Sequence, residues 1–156
     1  MIKKPFKIIS GGQTGADRAA LDVAIEIGLD YGGAIPKGRI AEDGPLNMRY
    51  KNMTELDTSD YDVRTEKNVI DADATLIFTS GKIGGGTSLT IEFAKRYNKQ
   101  FLHIDFAARS EEESIRLAKG WLNQVSPAVL NVAGSRESSS KGIYEKVHRI
   151  LKYILS

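Results

Sequence analysis

Short apolar runs alternate with amphipathic segments along this chain of 156 residues. Runs such as Leu76-Ile77-Phe78 do not alternate in polarity, which is typical of strands that are covered on both faces. When strands of this kind alternate with helices, they form a parallel sheet through right-handed crossovers. The pattern therefore predicts an α/β fold: a single Rossmann-like domain over residues 1–156, with a mainly parallel sheet and helices on both faces.

Five apolar runs are predicted as strands: Phe6–Ser10, Tyr31–Ile35, Ala74–Thr79, Gln100–Asp105 and Ala128–Val132. Helical spacing of apolar residues predicts helices over Ala16–Ile27, Ser110–Val125 and the C-terminal segment from Ile143 to Ile154. Gly28 is a stop signal for the first of these helices, and Ser110 with Glu113 forms a capping box for the second. Asp17, Asp22 and Glu26 are expected on the polar face of the first helix. Residues 36–60 lack periodicity, so they form either a functional loop or an element that the pattern does not reveal.

Composition excludes several classes of protein. The chain has no cysteine, which excludes disulfide scaffolds, zinc–thiolate sites and cysteine nucleophiles. Its 22 Lys and Arg nearly balance its 20 Asp and Glu, so there is no basic surface that would favour nucleic acid. No apolar stretch is long enough to span a membrane, and the apolar core within the first ten residues is too short for a signal peptide. These features predict a cytoplasmic protein.

A glycine-rich turn follows the first predicted strand and opens a helix, in the sequence Ser10-Gly11-Gly12-Gln13-Thr14-Gly15-Ala16-Asp17. Glycines let the backbone turn sharply and approach a ligand, and the free amides of a helix N-terminus attract anions such as phosphate. The turn lacks the Gly-Lys-Ser/Thr of a P-loop and the spacing of a dinucleotide fingerprint. It therefore predicts a phosphate on the turn from Gly11 to Gly15, with helix capping alone as the alternative.

Two further loops have the same character. One holds Gly84, Gly85, Gly86, Thr87 and Ser88 after the third predicted strand, and Thr87 or Ser88 can cap the helix that follows. The other holds Gly134, Ser135 and Arg136 after the last predicted strand. Because all three loops follow parallel strands, we expect them at the same edge of the sheet, where they would form one anion-binding site.

Charged side chains near this edge are the remaining candidates. Lys37 and Arg39 lie in the long loop, and arginine binds phosphate or carboxylate through two parallel hydrogen bonds. Arg64, which opens a short helical segment, and Glu92 are the candidates for catalysis if the protein is an enzyme. Each could instead be an ordinary solvated charge, and Glu92 could pair with Arg96 one helical turn away. No Ser-His-Asp order or metal-ligand spacing is present, so no metal site is predicted.

These motifs resemble the family of molybdenum (cofactor) carrier proteins, also described as circularly permuted YpsA-like, within the Rossmann superfamily that includes the LOG and DprA proteins. The resemblance runs from about Ile8 to Tyr144. It rests on the turn at residues 11–17, Pro36-Lys37-Gly38-Arg39, Ala41-Glu42-Asp43-Gly44, Arg64-Thr65, Asn68-Val69, residues 73–77, Gly85-Gly86-Thr87 and residues 131–137.

The resemblance implies a homo-oligomer, commonly a tetramer, that binds the molybdenum cofactor (molybdopterin) and performs no chemistry on it. A nucleotide or phosphate is the alternative ligand. The metal would be held by the sulfur atoms of the cofactor, which a protein without cysteine allows. The LOG branch offers a second reading, a phosphoribohydrolase for nucleotide derivatives, but Thr90 occupies the place of that motif's acidic residue and Glu92 lies two positions later. DprA-like binding of nucleic acid is the third reading.

Overall fold

The computed structural model describes residues 2–156 as nine strands and five α-helices. The strands are β1 Lys7–Ile9, β2 Asp30–Gly32, β3 Ala34–Ile35, β4 Ile40–Ala41, β5 Gly44–Pro45, β6 Thr54–Glu55, β7 Ala74–Thr79, β8 Gln100–Asp105 and β9 Val129–Gly134. The helices are α1 Ala16–Ile27, α2 Tyr61–Asp71, α3 Gly85–Arg96, α4 Glu111–Val125 and α5 Ile143–Leu155. A short 3-10 turn covers Lys37–Arg39.

The central sheet has five strands in the order β2-β1-β9-β7-β8, and every neighbouring pair is parallel. From β1 the chain crosses to β2 on one side, whereas from β7 it crosses to β8 on the other side, and β9 lies between β1 and β7. The α/β Rossmann-like fold predicted from the sequence is confirmed. In open sheets of this kind, ligands bind beyond the carboxyl ends of the strands where the strand order reverses.

Two helical layers cover the sheet. Helix α5 packs against α1 and α4, and these three helices share the main core with the central strands through side chains such as Leu76, Phe78, Leu122 and Ile150. Helices α2 and α3 pack against each other around Val69, Phe93 and Ala94. Strand β7, which lies between β9 and β8, is buried along its whole length, and this explains why its sequence shows no alternation.

Two predicted helix boundaries are confirmed, the end of α1 and the start of α4. Helix α1 ends at Gly28, whose φ of 77° is the left-handed conformation that glycine adopts without strain. At the start of α4, Ser110 accepts a hydrogen bond from the Glu113 amide at 3.1 Å, as in a capping box.

The polar face predicted for α1 is wrong in part. Asp17 and Asp22 are both buried, because loops from elsewhere in the chain cover them, and Glu26 alone of the three is exposed. The hydrophobic period of a helix reports how it packs on the sheet, and it carries no information about loops that fold over the opposite side.

The predicted strand over Tyr31–Ile35 is two strands, and residues 36–60 contain elements that the pattern does not reveal. The break falls at Gly33, where φ is +127° and an added Cβ would lie 2.1 Å from the Ser10 carbonyl oxygen. Only glycine fits so close a crossing. After it, β3 pairs with β6 in parallel and β4 pairs with β5 as a small hairpin, each over two residues. Pairs this short leave no periodic signal.

Candidate functional site

The loops after β1, β7 and β9 line one cavity of about 590 Å³ at the carboxyl edge of the central sheet. The first loop contributes Gly11 and Gln13, the second residues 82–87 and the third residues 134–136. Helix α2 forms a further wall through Tyr61, Asp62, Arg64, Thr65 and Asn68. The volume lies within the range of about 300–1,000 Å³ that small-molecule sites occupy.

The N-terminus of α3 opens into this cavity without a cap. Gly84 precedes the helix and no side chain caps it, so the prediction that Thr87 or Ser88 caps the helix is wrong. The Ser88 amide donates to the Gly84 carbonyl oxygen at 3.0 Å, and the amides of Gly85, Gly86 and Thr87 donate no hydrogen bond to residues 2–156. A helix end with free amides carries a partial positive charge and favours an anion.

No steric constraint requires glycine at this helix end. A Cβ added to Gly84, Gly85 or Gly86 would meet no atom within 4 Å. Glycine in a helix costs roughly 0.5–1 kcal/mol relative to alanine. No packing demand within the described residues therefore requires glycine here, and these glycines leave the backbone accessible from the cavity.

Gln13 brings a buried, unpartnered donor to the cavity wall. The residue is 5% exposed, and its Oε1 accepts hydrogen bonds from the amides of Thr14 at 3.1 Å and Glu42 at 2.8 Å. These two bonds fix the orientation of the side-chain amide. Its Nε2 is buried and has no hydrogen-bond partner among residues 2–156. A buried amide without a partner is costly, so this donor at the cavity wall is an unsatisfied group of the free protein.

Arg64 and Asp17 form a loose buried ion pair at the cavity wall. Arg64 Nη1 lies 3.9 Å from Asp17 Oδ2 and donates to the Gly11 carbonyl oxygen at 2.7 Å. A Cβ at Gly11 would lie 2.4 Å from the same nitrogen, which explains the glycine at this position. Burial raises the pKa of Asp17 to about 6, although the charge of Arg64 acts in the opposite direction. Burial also lowers the pKa of Arg64.

Arg136 joins the same wall through Tyr61. The guanidinium carbons of Arg64 and Arg136 lie 5.2 Å and 5.3 Å from the centre of the Tyr61 ring. Contacts of this type are cation–π interactions, and they hold both arginines at the cavity. With Lys82 on the loop after β7, the cavity has three cations against the carboxylates of Asp17 and Asp62.

The first glycine turn is closed by the protein itself. The amides of Gly12, Gln13 and Thr14 donate to Ser10 Oγ, Asp17 Oδ2 and Gln13 Oε1, and the Ala16 amide donates to the Ser135 carbonyl oxygen. Glu42 accepts hydrogen bonds from the Thr14 hydroxyl and from the amide and hydroxyl of Ser138. Side-chain oxygens of Ser10, Asp17 and Gln13 thus accept from three of the amides that the sequence suggested for a phosphate, and Glu42 accepts from the Thr14 hydroxyl. Thr14 and Gly15 line a separate depression beside Glu42.

Several candidates from the sequence lie away from the cavity. Arg39 donates to the carbonyl oxygens of Leu46, Asn47 and Tyr50 at 3.0–3.2 Å, so it holds the long loop together. Lys37 and Ser88 are exposed and do not line the cavity, and Gly12 faces Leu46 and Ile35. Glu92 is exposed and pairs with Arg96 at 3.3 Å, one turn along α3.

Four buried polar residues of the wall were not among the predicted site residues: Asp17, Asn68, Thr90 and Asn131. Each is nearly fully buried, and Asn68 is tied by both ends of its amide to the backbone of Ala34. The one signal in the sequence that could have identified such residues is a polar residue inside an otherwise apolar run, such as Asn131 in β9.

No group of three His, Asp or Glu side chains within residues 2–156 is placed to hold a metal ion. No helix in the same range combines the length and the apolar character that crossing a membrane requires.

Comparisons with known proteins agree with this architecture. A crystal structure at 1.45 Å resolution of a protein from Syntrophus aciditrophicus SB, described as "Putative molybdenum carrier protein", superposes with a TM-score of 0.95. The two chains are 46% identical over 100% of this chain and 98% of the other. No curated protein sequence matches the chain. The model of the circularly permutated YpsA SLOG family matches residues 8–155, and the chain therefore belongs to that family.

Proposed function

We propose that the protein is a carrier that binds a phosphate-bearing cofactor in the cavity between β1, β9 and β7, with the phosphate on the N-terminus of α3. The observation that carries this proposal is the uncapped end of α3, whose three free amides open into the same cavity as the cations Lys82 and Arg136. An acceptor-rich anion satisfies the free amides and the two cations together.

The strengths of these contacts suffice for useful affinity. A helix N-terminus contributes about 0.3–1 kcal/mol to a bound anion, and up to about 2 kcal/mol when it is partly buried. Each hydrogen bond to a charged group adds about 1.5–3 kcal/mol. Three amides with Lys82 and Arg136 can therefore reach micromolar affinity, about −8 kcal/mol, after the cost of association.

The size of the cavity favours a ligand with an organic body. A volume of about 590 Å³ is much larger than a bare oxyanion needs and suits a drug-sized molecule. The similarity to a molybdenum carrier protein makes molybdopterin the cofactor that we propose. Because the chain has no cysteine, the dithiolene of the cofactor would hold the metal, while this chain's residues hold the phosphate and the ring.

One observation favours a second candidate, hydrolysis of a nucleotide derivative. Asp17 lines the cavity with a pKa raised to about 6 by burial, and perturbed carboxyls of this kind occur in acid–base catalysis. Glu92, the acid that the sequence offered for this role, is not in the cavity. We rank this candidate second because the loop motif lacks its acidic residue at Thr90.

Calorimetry with molybdopterin, AMP and tungstate separates these candidates. The carrier proposal predicts that molybdopterin binds with micromolar or better affinity and is recovered unchanged. Release of adenine from AMP on incubation would establish the hydrolase, and failure of all three ligands to bind would overturn both.

A further inference from the structure

Asp17 has a carboxylate oxygen that no described residue satisfies. Its Oδ2 accepts the Gln13 amide at 3.3 Å, and its Oδ1 accepts no hydrogen bond from residues 2–156. The residue lines the cavity, and Oδ1 is not among the enclosed side-chain atoms that lack a partner. It is therefore open to the cavity. A carboxylate in so buried a position requires donors, and since residues 2–156 supply none to Oδ1, the donors must come from what fills the cavity.

A phosphate cannot be that donor. At neutral pH a phosphate monoester is an acceptor with nearly two negative charges, and beside an ionised carboxylate it would be repelled. The amides of α3 and the cations Lys82 and Arg136 provide a separate place for it in the same cavity. The part of the ligand that meets Asp17 must therefore be another part, and it must carry N–H or O–H groups.

We propose that Asp17 is the specificity-determining residue of the site: its carboxylate accepts hydrogen bonds from N–H or O–H donors on the end of the ligand remote from the phosphate. This inference rests on the proposed function. Two kinds of ligand group supply such donors: the N–H groups of an aminopyrimidinone ring, as in a pterin, and the hydroxyls of a sugar.

Affinities for three probes distinguish these sources: inorganic phosphate, 6-hydroxymethylpterin phosphate and ribose 5-phosphate. The quantity compared is the affinity for each organic phosphate divided by that for inorganic phosphate. In the wild type we expect a ratio above about 10 for one of the two organic probes, since a hydrogen bond to a charged group has that effect or more. The probe with the larger ratio identifies the donor chemistry.

Asp17→Asn should lower that ratio to about 3 or less while inorganic phosphate binds as well as before or better, because a repelling charge is removed. Asp22→Asn is the matched control: Asp22 is also a buried carboxylate of α1, but it lies outside the cavity, where it accepts hydrogen bonds from Tyr50 and Tyr144. It should leave the ratio unchanged. Retained binding of inorganic phosphate shows that the Asp17 variant is folded.

The dependence on pH gives a readout that a merely structural role of Asp17 would not produce. Donors on the ligand stabilise the ionised carboxyl, so the ratio in wild type divided by the ratio in Asp17→Asn should fall as the pH drops through about 6, the pKa of Asp17. The charged groups that act on this carboxyl are Arg64 on α2, Arg18 on its own helix and Arg136 after β9, and none of these arginines titrates in this range. The phosphates of the probes do titrate in this range, and the division by the ratio in Asp17→Asn cancels their contribution.

Three results would overturn the inference: neither ratio exceeds about 3 in the wild type, Asp17→Asn leaves the larger ratio intact, or the ratio in wild type does not fall at acidic pH relative to the ratio in Asp17→Asn. In each of these cases inorganic phosphate still binds and the proposed function stands. If inorganic phosphate and both organic probes fail to bind the wild type, the proposed function itself is overturned.

Discussion

At the scale of single residues, the buried carboxyl of Asp17 lowers the stability of the free protein. Its pKa is about 6 in the folded chain against an ordinary value of 3.8, so the folded state binds the proton more tightly than the unfolded state does. The contribution of this group to stability is therefore fully present below pH 3.8 and is lost as the pH rises through about 6. Residues at binding sites often carry such a cost.

The first prediction concerns this cost. Asp17→Asn removes the titrating carboxyl. The free energy of unfolding of the variant minus that of the wild type should therefore rise by about 1 kcal/mol between pH 5 and pH 8, within the window that the pKa shift defines. Urea unfolding of both proteins at the two pH values measures it. A difference that is constant with pH, or that falls towards pH 8, would contradict the pKa.

Arg39 carries the second prediction. Because its guanidinium binds three backbone carbonyls of the long loop and does not line the cavity, Arg39→Ala should cost about 1–3 kcal/mol of stability and leave anion affinity unchanged. Thermal unfolding and calorimetry with inorganic phosphate test the two parts. A tenfold loss of affinity in a folded variant would place Arg39 in the site after all.

At the scale of elements, the glycines at the start of α3 lead to a prediction, because we propose that they let an anion approach the backbone. Gly86→Ala adds a methyl group into open space at the cavity, so the fold should be as stable as before or more stable. The same methyl group should keep the anion from the amides and reduce phosphate affinity at least tenfold. Gly120→Ala in the middle of α4 is the matched control, since its Cβ also meets no atom within 4 Å and it lies outside the cavity.

Gly120→Ala should raise stability by about 0.5–1 kcal/mol and leave phosphate affinity unchanged. Denaturant unfolding and calorimetry on both variants provide the comparison. Equal affinity in the two variants would remove α3 from the site.

The elements also show how far the sequence could lead. The boundaries of α1 and the cap of α4 depend on neighbouring residues, so Gly28 and Ser110 predicted them. Glu42, which closes the first turn, lies 28 positions from Thr14 and 96 positions from Ser138 along the sequence. Contacts of that range leave no local pattern, so the sequence could not predict that Glu42 binds the hydroxyls of Thr14 and Ser138.

At the scale of the whole molecule, the strand order decides which loops meet. With β9 between β1 and β7, the loops after these three strands lie side by side, and the sequence predicted their common edge from the parallel sheet alone. It could not predict that α2 forms the remaining wall, because the position of Tyr61 and Arg64 depends on the path of residues 36–60. Self-association, which the resemblance implied, stays a prediction.

The most direct test of the anion site is a titration of the ¹⁵N-labelled protein with inorganic phosphate, followed by amide chemical shifts. The amides of Gly85, Gly86 and Thr87 are free, whereas those of Gly12, Gln13 and Thr14 are bonded within the protein. We predict saturable shifts that are largest at residues 85–87 and small at residues 12–14. Shifts that are largest at the first turn, or absent from residues 85–87 at saturation, would contradict a phosphate site at the N-terminus of α3.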